Sequence, residues 1–275
     1  MKNRKSISVH LLAAVLFIAL AGAVPAKAGI ENYSLGIGLG FVPDYEGSSD
    51  YEAVPIPYAM VNWEDGKSLE LQALKLKATL LRIDALTLGP MANFRPGRDN
   101  VDNRRVDALK EVDDSFELGV FAGFDINQWN VSAEILQDIS DGHDGLLFTL
   151  GGGYRWPLNE KMTLTLGASF TYADDDYMES FFEIDNADSA RSGLETFDAE
   201  SGVKDISFKA GLGYMLTESW RMQALIRFSR LLGDPADSPV VDDEGSANQF
   251  LGGVVFVYTF GKGKAEPVEV EPYHF

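Results

Sequence analysis

The stretch Tyr33-Ser-Leu-Gly-Ile-Gly-Leu-Gly-Phe41 puts Tyr, Leu, Ile, Leu and Phe at odd positions and serine or glycine at even ones. A period of two marks a β-strand, whose successive side chains point to opposite faces. One face of this strand is apolar and the other is small or polar. Its length also matters. Strands of soluble proteins average about five or six residues, whereas a tilted strand crossing a bilayer needs about nine to eleven.

The alternation returns over 116–124, 129–135, 162–172, 206–214 and 220–228. Residues 69–81 also alternate, with Lys75 and Lys77 on the weaker face, and are read as two strands (67–73 and 75–82) around Ala73, followed by one near 84–90. With 51–62, 146–156 and 248–260 the chain carries about twelve strands, ten being the alternative. Aromatic residues stand at the ends of the apolar faces, as in Tyr33 and Phe41, Phe116 and Phe124, and Trp220 and Phe228. Such rows resemble the interfacial girdles of barrels that turn apolar residues to lipid and polar ones to the lumen. Only closure satisfies every backbone group in lipid. The expected fold is therefore all-β, a transmembrane antiparallel β-barrel. Connections sort by length. The bend at Ala73 is short, but 43–50, 91–114, 137–145, 173–200 and 231–247 fall at the same end, while 63–66, the turn near Ile83, 125–128, 157–160 and 217–219 fall at the other. Outer-membrane barrels place short turns in the periplasm and long loops outside.

The flanks fit export. Lys2, Arg4 and Lys5 precede an apolar run from Leu11 to Val24, and Ala26-Lys27-Ala28 has the form of a cleavage site. Residues 1–28 thus read as a signal peptide, 29–260 as the barrel, and 261–275 as an acidic, proline-containing tail. Removing the four basic groups of the leader moves the net charge from -19 to about -23. The basic residues Arg95, Arg98, Arg104 and Arg105 are interleaved with aspartates, so no nucleic-acid partner is expected. Without cysteine, stability rests on sheet and packing.

Several clusters invite a chemical reading. The loop 173–200 is rich in Asp and Glu, but its spacing is not that of an EF-hand, and a solvated face is preferred to weak divalent-cation binding. His143 neighbours Ser140 and Asp141, yet adjacency in sequence is not triad geometry. Glycines 36, 38 and 40 are followed by no Lys-Ser or Lys-Thr, which rejects a phosphate loop and leaves room inside the barrel for bulkier partners. Arg221, Arg227 and Arg230 are assigned to the polar face of one strand, with Lys209 on its neighbour and Glu117 and Glu134 on other polar faces. They are expected to enter the lumen, either as ion pairs that fill it or as the lining of a pore. No enzyme activity, metal or cofactor is expected.

Two loops are the most distinctive. Pro43-Asp44-Tyr45-Glu46-Gly47-Ser48 follows the first strand, and the segment Arg230 to Gln249 contains Gly233, Asp234, Asp237, Ser238, Pro239 and Gly245. With Gly151-Gly-Gly-Tyr154 and the ending Tyr258-Thr-Phe260, they resemble the MipA/OmpV family of outer-membrane proteins. The resemblance implies a barrel in the outer membrane of a Gram-negative bacterium, in contact with lipid and lipopolysaccharide. It further implies a structural or scaffolding role that links a periplasmic murein hydrolase to a murein synthase. A passive channel or small-solute porin is the alternative.

Overall fold

A computed structural model describes residues 29–261; the expected leader and residues 262–275 of the expected tail lie outside the described residues. The strands are β1 (Ile30–Pro43), β2 (Tyr51–Trp63), β3 (Ser68–Gln72), β4 (Lys75–Thr79), β5 (Leu81–Ile83), β6 (Leu86–Arg95), β7 (Ser115–Ile126), β8 (Trp129–Asp138), β9 (Leu146–Pro157), β10 (Met162–Ala173), β11 (Gly202–Met215), β12 (Trp220–Leu231) and β13 (Asn248–Gly261). Three short helices lie in loops: α1 (Asp175–Phe182), α2 (Asn186–Ser192) and α3 (Asp234–Asp237). From β5 onward each strand pairs with the next, β1 pairs with both β2 and β13, and β4 pairs with β6. Segments β4 and β5 are two pieces of one stave, so the barrel closes with twelve staves.

The break in that stave has a local cause. Lys77 lies opposite Met91, but Leu81 lies opposite Leu88, a slip of one residue around Leu80. Phe94 N–H donates to Leu74 O (3.0 Å) and Leu80 N–H donates to Leu88 O (3.1 Å). Even-numbered residues of β6 therefore turn their backbone groups toward this stave. Pro90, which has no N–H to offer, falls in the interval where the register changes. The sequence reading ended this strand at residue 90; it continues to Arg95 because the bulge accommodates the proline. Gly89 allows the close approach, since a Cβ there would lie 1.7 Å from Ala78 O.

Side-chain parity follows the alternation. Ile37 and Leu39 are 70% and 72% exposed on the outer surface, while Ser34 and Gly36 face inward and are buried. Outward aromatics form two rows. Tyr33–Phe260, Trp220–Tyr258 and Trp129–Tyr154 contact one another at the short-turn end, and Phe41–Tyr51, Phe228–Phe250 and Phe94–Phe116 do so at the long-loop end. At about 3.3 Å per residue, Tyr33 and Phe41 stand about 26 Å apart along β1, the scale of the apolar band of an outer-membrane barrel.

The β3–β4 hairpin is short, and β3 pairs with β2 only from Tyr58 to Asn62. Above it β2 carries Pro55 and Pro57. Pro57 O accepts from Ala73 N–H (2.9 Å), so odd residues of β2 aim their backbone toward the hairpin side. Proline there leaves no donor facing the place where the partner strand stops. Inside the barrel, Val54, Ile56, Tyr58, Val255 and Val257 form an apolar cluster against the small inward residues of β1.

Replacing Gly89 with alanine forces its Cβ against Ala78 O. The expected cost is about 1–3 kcal/mol, read as a lower urea midpoint for unfolding of the refolded barrel. An unchanged midpoint would show that the seam between β4 and β6 is slack.

Candidate functional site

The long loops do not stand away from the barrel. They fold over its mouth as a lid with its own apolar core, in which Tyr45, Val101, Val106, Leu109, Tyr177, Phe181, Phe182, Ile184, Val240 and Val241 are buried. Inward residues of the wall strands, Met91, Leu136, Leu147 and Leu231, join that core from below. The acidic loop supplies the helices. Asp174 caps α1 by accepting from Tyr177 N–H (3.2 Å), and Asp185 caps α2 by accepting from Asp188 N–H (2.6 Å). Asp175 accepts from Ser201 N–H and Asp188 from Lys110 N–H. These carboxylates are structural, and among the described residues no group of three or more His, Cys, Asp or Glu is arranged to hold a metal.

The two distinctive loops dock on each other within this lid. Gly47 has φ of 93°, and a Cβ on it would meet Val241 Cγ2 at 2.5 Å. Ser246 N–H donates to Gly47 O (2.8 Å), and Gln249 Nε2 donates to Ser48 O (3.0 Å). Gly245 packs against the Gly47 carbonyl. Ser238 is fully buried and donates to Phe182 O (2.7 Å), while Asp234 accepts from Glu200 N–H (2.7 Å). Pro43 is buried at the end of β1, Asp44 accepts from Asp102 N–H (3.0 Å), and Gly233 is the N-cap of α3. Asp237 closes α3 in an exposed position, and Pro239 follows it half-buried.

Beneath the lid lies a buried polar network. Tyr177 Oη donates to Glu46 Oε2 (2.7 Å), Lys204 pairs with Glu46, and Lys204 Nζ is 2.8 Å from Asp205 Oδ2. A bulge between β10 and β11 turns both Lys204 and Asp205 inward. Arg95 donates from Nε to Glu117 Oε1 (2.6 Å), and its guanidinium lies 5.3 Å from the Tyr177 ring centre. Asn93 Nδ2 completes the cradle of Glu117 at 2.7 Å. His143 does not act with Ser140 and Asp141. Gly145 N–H donates to His143 Nδ1 (3.0 Å), so the ring proton lies on Nε2, which donates to Glu117 Oε1 (3.0 Å). Ser140 and the loop amides of Gly142, His143 and Asp144 all donate to Asp138. No catalytic arrangement remains there.

Lower in the barrel the lumen is polar. Lys75 and Lys77 both bind Glu134, at 2.8 and 2.5 Å. With Lys209, Glu70, Gln72 and Asn130 they line a cavity of about 180 Å³. Arg221 donates to Tyr58 Oη (3.0 Å), and Arg227 lies opposite Lys209 across β11 and β12. Arg230 departs from the sequence reading. As an even residue of β12 it shares the outer face with Trp220 and Phe228, is exposed, and donates to Asn248 Oδ1 (3.1 Å). Residues 227 and 230 differ by an odd number, so one strand turns them to opposite faces. Lys75, Lys77 and Glu70 escaped the expected set because their strands are only five residues long.

The sequence profile described as "MltA-interacting protein MipA" matches residues 35–260. MltA-interacting protein of Escherichia coli (strain K12) is 23% identical over 242 residues, covering 85% of this chain and 93% of that protein. Putative outer membrane protein YiaT of Escherichia coli O157:H7 is 24% identical over 225 residues, covering 80% and 89%. Solved structures similar to the chain include the NanC porin (9% identity, TM-score 0.41, 82% and 98% coverage). Another is the translocator domain of autotransporter NalP from Neisseria meningitidis (11% identity, TM-score 0.41, 92% and 96% coverage).

The lid should respond to acid. Burial raises the Asp44 carboxyl above its ordinary 3.8, reinforced by the charges of Asp102, Asp50 and Asp107 and opposed by the Asp102 N–H. A raised acid stabilises the fold fully below its ordinary pKa, and that contribution is lost as pH rises through the raised value. Asp44→Asn should therefore slow hydrogen exchange over 101–109 relative to the native protein at neutral pH, with the difference closing toward pH 3.8. An equal difference at both pH values would remove Asp44 as the cause.

Proposed function

The chain belongs to the MltA-interacting protein MipA family, and from that premise we propose that this outer-membrane barrel is a solute conduit held shut by its lid. One observation carries the reading: a polar cavity lies in the lumen, below the hydrogen-bonded network that ties the lid to the wall. A barrel that only needed filling would be more stable with apolar side chains, because burying ion pairs costs several kcal/mol per ion before their attraction offsets it. Apolar filling is available to this chain and is used around Tyr58. Charged residues at bilayer depth that line a cavity mark a path for polar solutes.

The closed state follows from the lid. Glu46, Tyr177, Arg95 and Glu117 link the outer loops to the wall in one chain of contacts. In planar bilayers the native protein is expected to open rarely. Glu117→Gln, which takes the carboxylate from Arg95, is expected to raise opening frequency several-fold while retaining the heat-shifted gel mobility of a folded barrel. Silence in both Glu117→Gln and a variant with 174–201 replaced by a short Gly-Ser linker would sink the conduit.

A second reading follows from the relatives' name. Proteins called MltA-interacting protein suggest docking of a murein hydrolase, and through it a synthase, at the short-turn end of this barrel. Crosslinked capture from solubilised envelopes should then enrich a lytic transglycosylase over the level found with an unrelated barrel. Equal recovery from both baits, with a control complex intact, would remove this reading.

A further inference from the structure

We propose that the outer wall of the barrel binds one phosphate-bearing lipid of the outer leaflet, with its phosphate on Arg230 and an acyl chain in a groove across β1 and β10–β13. The site lies on the lipid face and does not depend on the conduit reading above. Along the described strands, the alternation places one charged residue on the outer face at the long-loop end, Arg230. Its guanidinium donates to a neutral group, Asn248 Oδ1 (3.1 Å), and among the described residues no carboxylate pairs with it. Phe228 and Phe250, a pair of the outer aromatic row, lie two residues nearer the middle of the barrel on β12 and β13. Arg230 therefore stands just above that row, where lipid headgroups lie. The planar fork of arginine matches phosphate oxygens, and the Asn248 amide adds donors beside it.

The same strands carry a depression of about 580 Å³, lined only by apolar residues and glycine. Its floor follows from two outward alanines. Ala210 lies opposite Ile226, and Ala224 lies between Leu212 and Val254 in the register. Large side chains thus surround small ones. The Phe41 ring does not fill the gap, because it lies over Gly252, where a Cβ would meet Phe41 Cε1 at 3.1 Å. Leu164 closes the groove two residues from the short-turn end of β10, and Phe41 stands two residues from the long-loop end of β1. The groove therefore crosses the apolar band obliquely. Its four interstrand spacings span about 19 Å, somewhat more than the about 15 Å of hydrocarbon in one leaflet, as a slanted acyl chain requires.

Charge decides the occupant. A second copy of this chain packed on the same face offers Arg230 no acid, since the outer face of the described strands has none at that end. A headgroup phosphate supplies the anion, and its chain supplies the apolar filling. In hydrocarbon, apolar surfaces gain nothing by leaving water, so retention rests on close packing and on the polar contact at the rim. Neither half suffices alone: the groove holds a chain by dispersion, and Arg230 selects the headgroup. Ile226 connects the two, lining the groove four residues along β12 from Arg230.

Native mass spectrometry of the detergent-folded full chain tests the site with dimyristoyl phosphatidic acid, dimyristoylglycerol and inorganic phosphate. Phosphatidic acid is expected to remain bound at one per barrel, about tenfold more than dimyristoylglycerol, which lacks the phosphate, and than inorganic phosphate, which lacks the chains. Arg230→Gln and Ala224→Phe are each expected to reduce that adduct about tenfold, and Arg230→Lys to restore part of it. Ala133→Phe, on the outer face of β8 away from the groove, is expected to leave it unchanged. Heat-shifted gel mobility verifies that each variant is folded. Equal retention of phosphatidic acid and dimyristoylglycerol, or an adduct unchanged in both folded Arg230→Gln and Ala224→Phe, overturns the site. A lipid-free dimer abolished by Ala224→Phe assigns the groove to a second copy and likewise overturns it. None of these readings involves a current, so the conduit stands or falls separately.

Discussion

A sheet in hydrocarbon has no water to satisfy an open edge, so every strand must find two neighbours. Everything else in this protein is arranged around that constraint. The demanding place is the seam, where short β4 meets β6 over only three register pairs before the slip at Leu80. The bulge, Gly89 and Pro90 answer one another there: the slip makes room for a residue without an N–H, and the glycine lets the two backbones approach. Where β2 outruns its partner β3, Pro55 and Pro57 withdraw donors in the same way.

Closure also divides the side chains into two populations with opposite requirements. The outer face takes Ile37, Leu39 and Phe256 and rewards nothing polar, whereas the inner face must be filled or lined. This chain does both, with an apolar cluster on the β1–β2–β13 side and a charged one on the side of β3, β4 and β8. The asymmetry leaves one side of the lumen filled by apolar packing and the other lined by polar groups around a cavity.

The strands were legible because period-two patterning over nine or more residues has no competing explanation, and the sorting of loop lengths oriented them. What escaped was what depends on contacts between loops. Tyr45, Glu46 and Ser48 were singled out by resemblance, but only folding brings Gly47 onto Gly245 and Glu46 onto Tyr177 and Lys204. The acidic run 173–200 read as a solvated face; its aspartates are spent on capping two short helices whose amphipathic pattern is too brief to register. Arg230 was placed in the lumen by its chemistry, although its even number puts it on the outer face with Phe228. His143 was weighed as a base, yet an amide from two residues away occupies the nitrogen it would need.

The lid meets the wall through two kinds of contact. Apolar packing alone can hold a lid to a barrel wall, since well-packed hydrophobic residues equal or exceed a buried ion pair in stability. Here the apolar core reaches the wall at Met91, Leu136, Leu147 and Leu231, and Arg95, Glu117, Lys204 and Glu46 add a charged contact beside it. Ion pairs are directional and nearly balance their own desolvation, so they fix one register while adding little net stability. Apolar packing joins the loops to one another and to the upper wall, and the charge pairs fix how they sit on it.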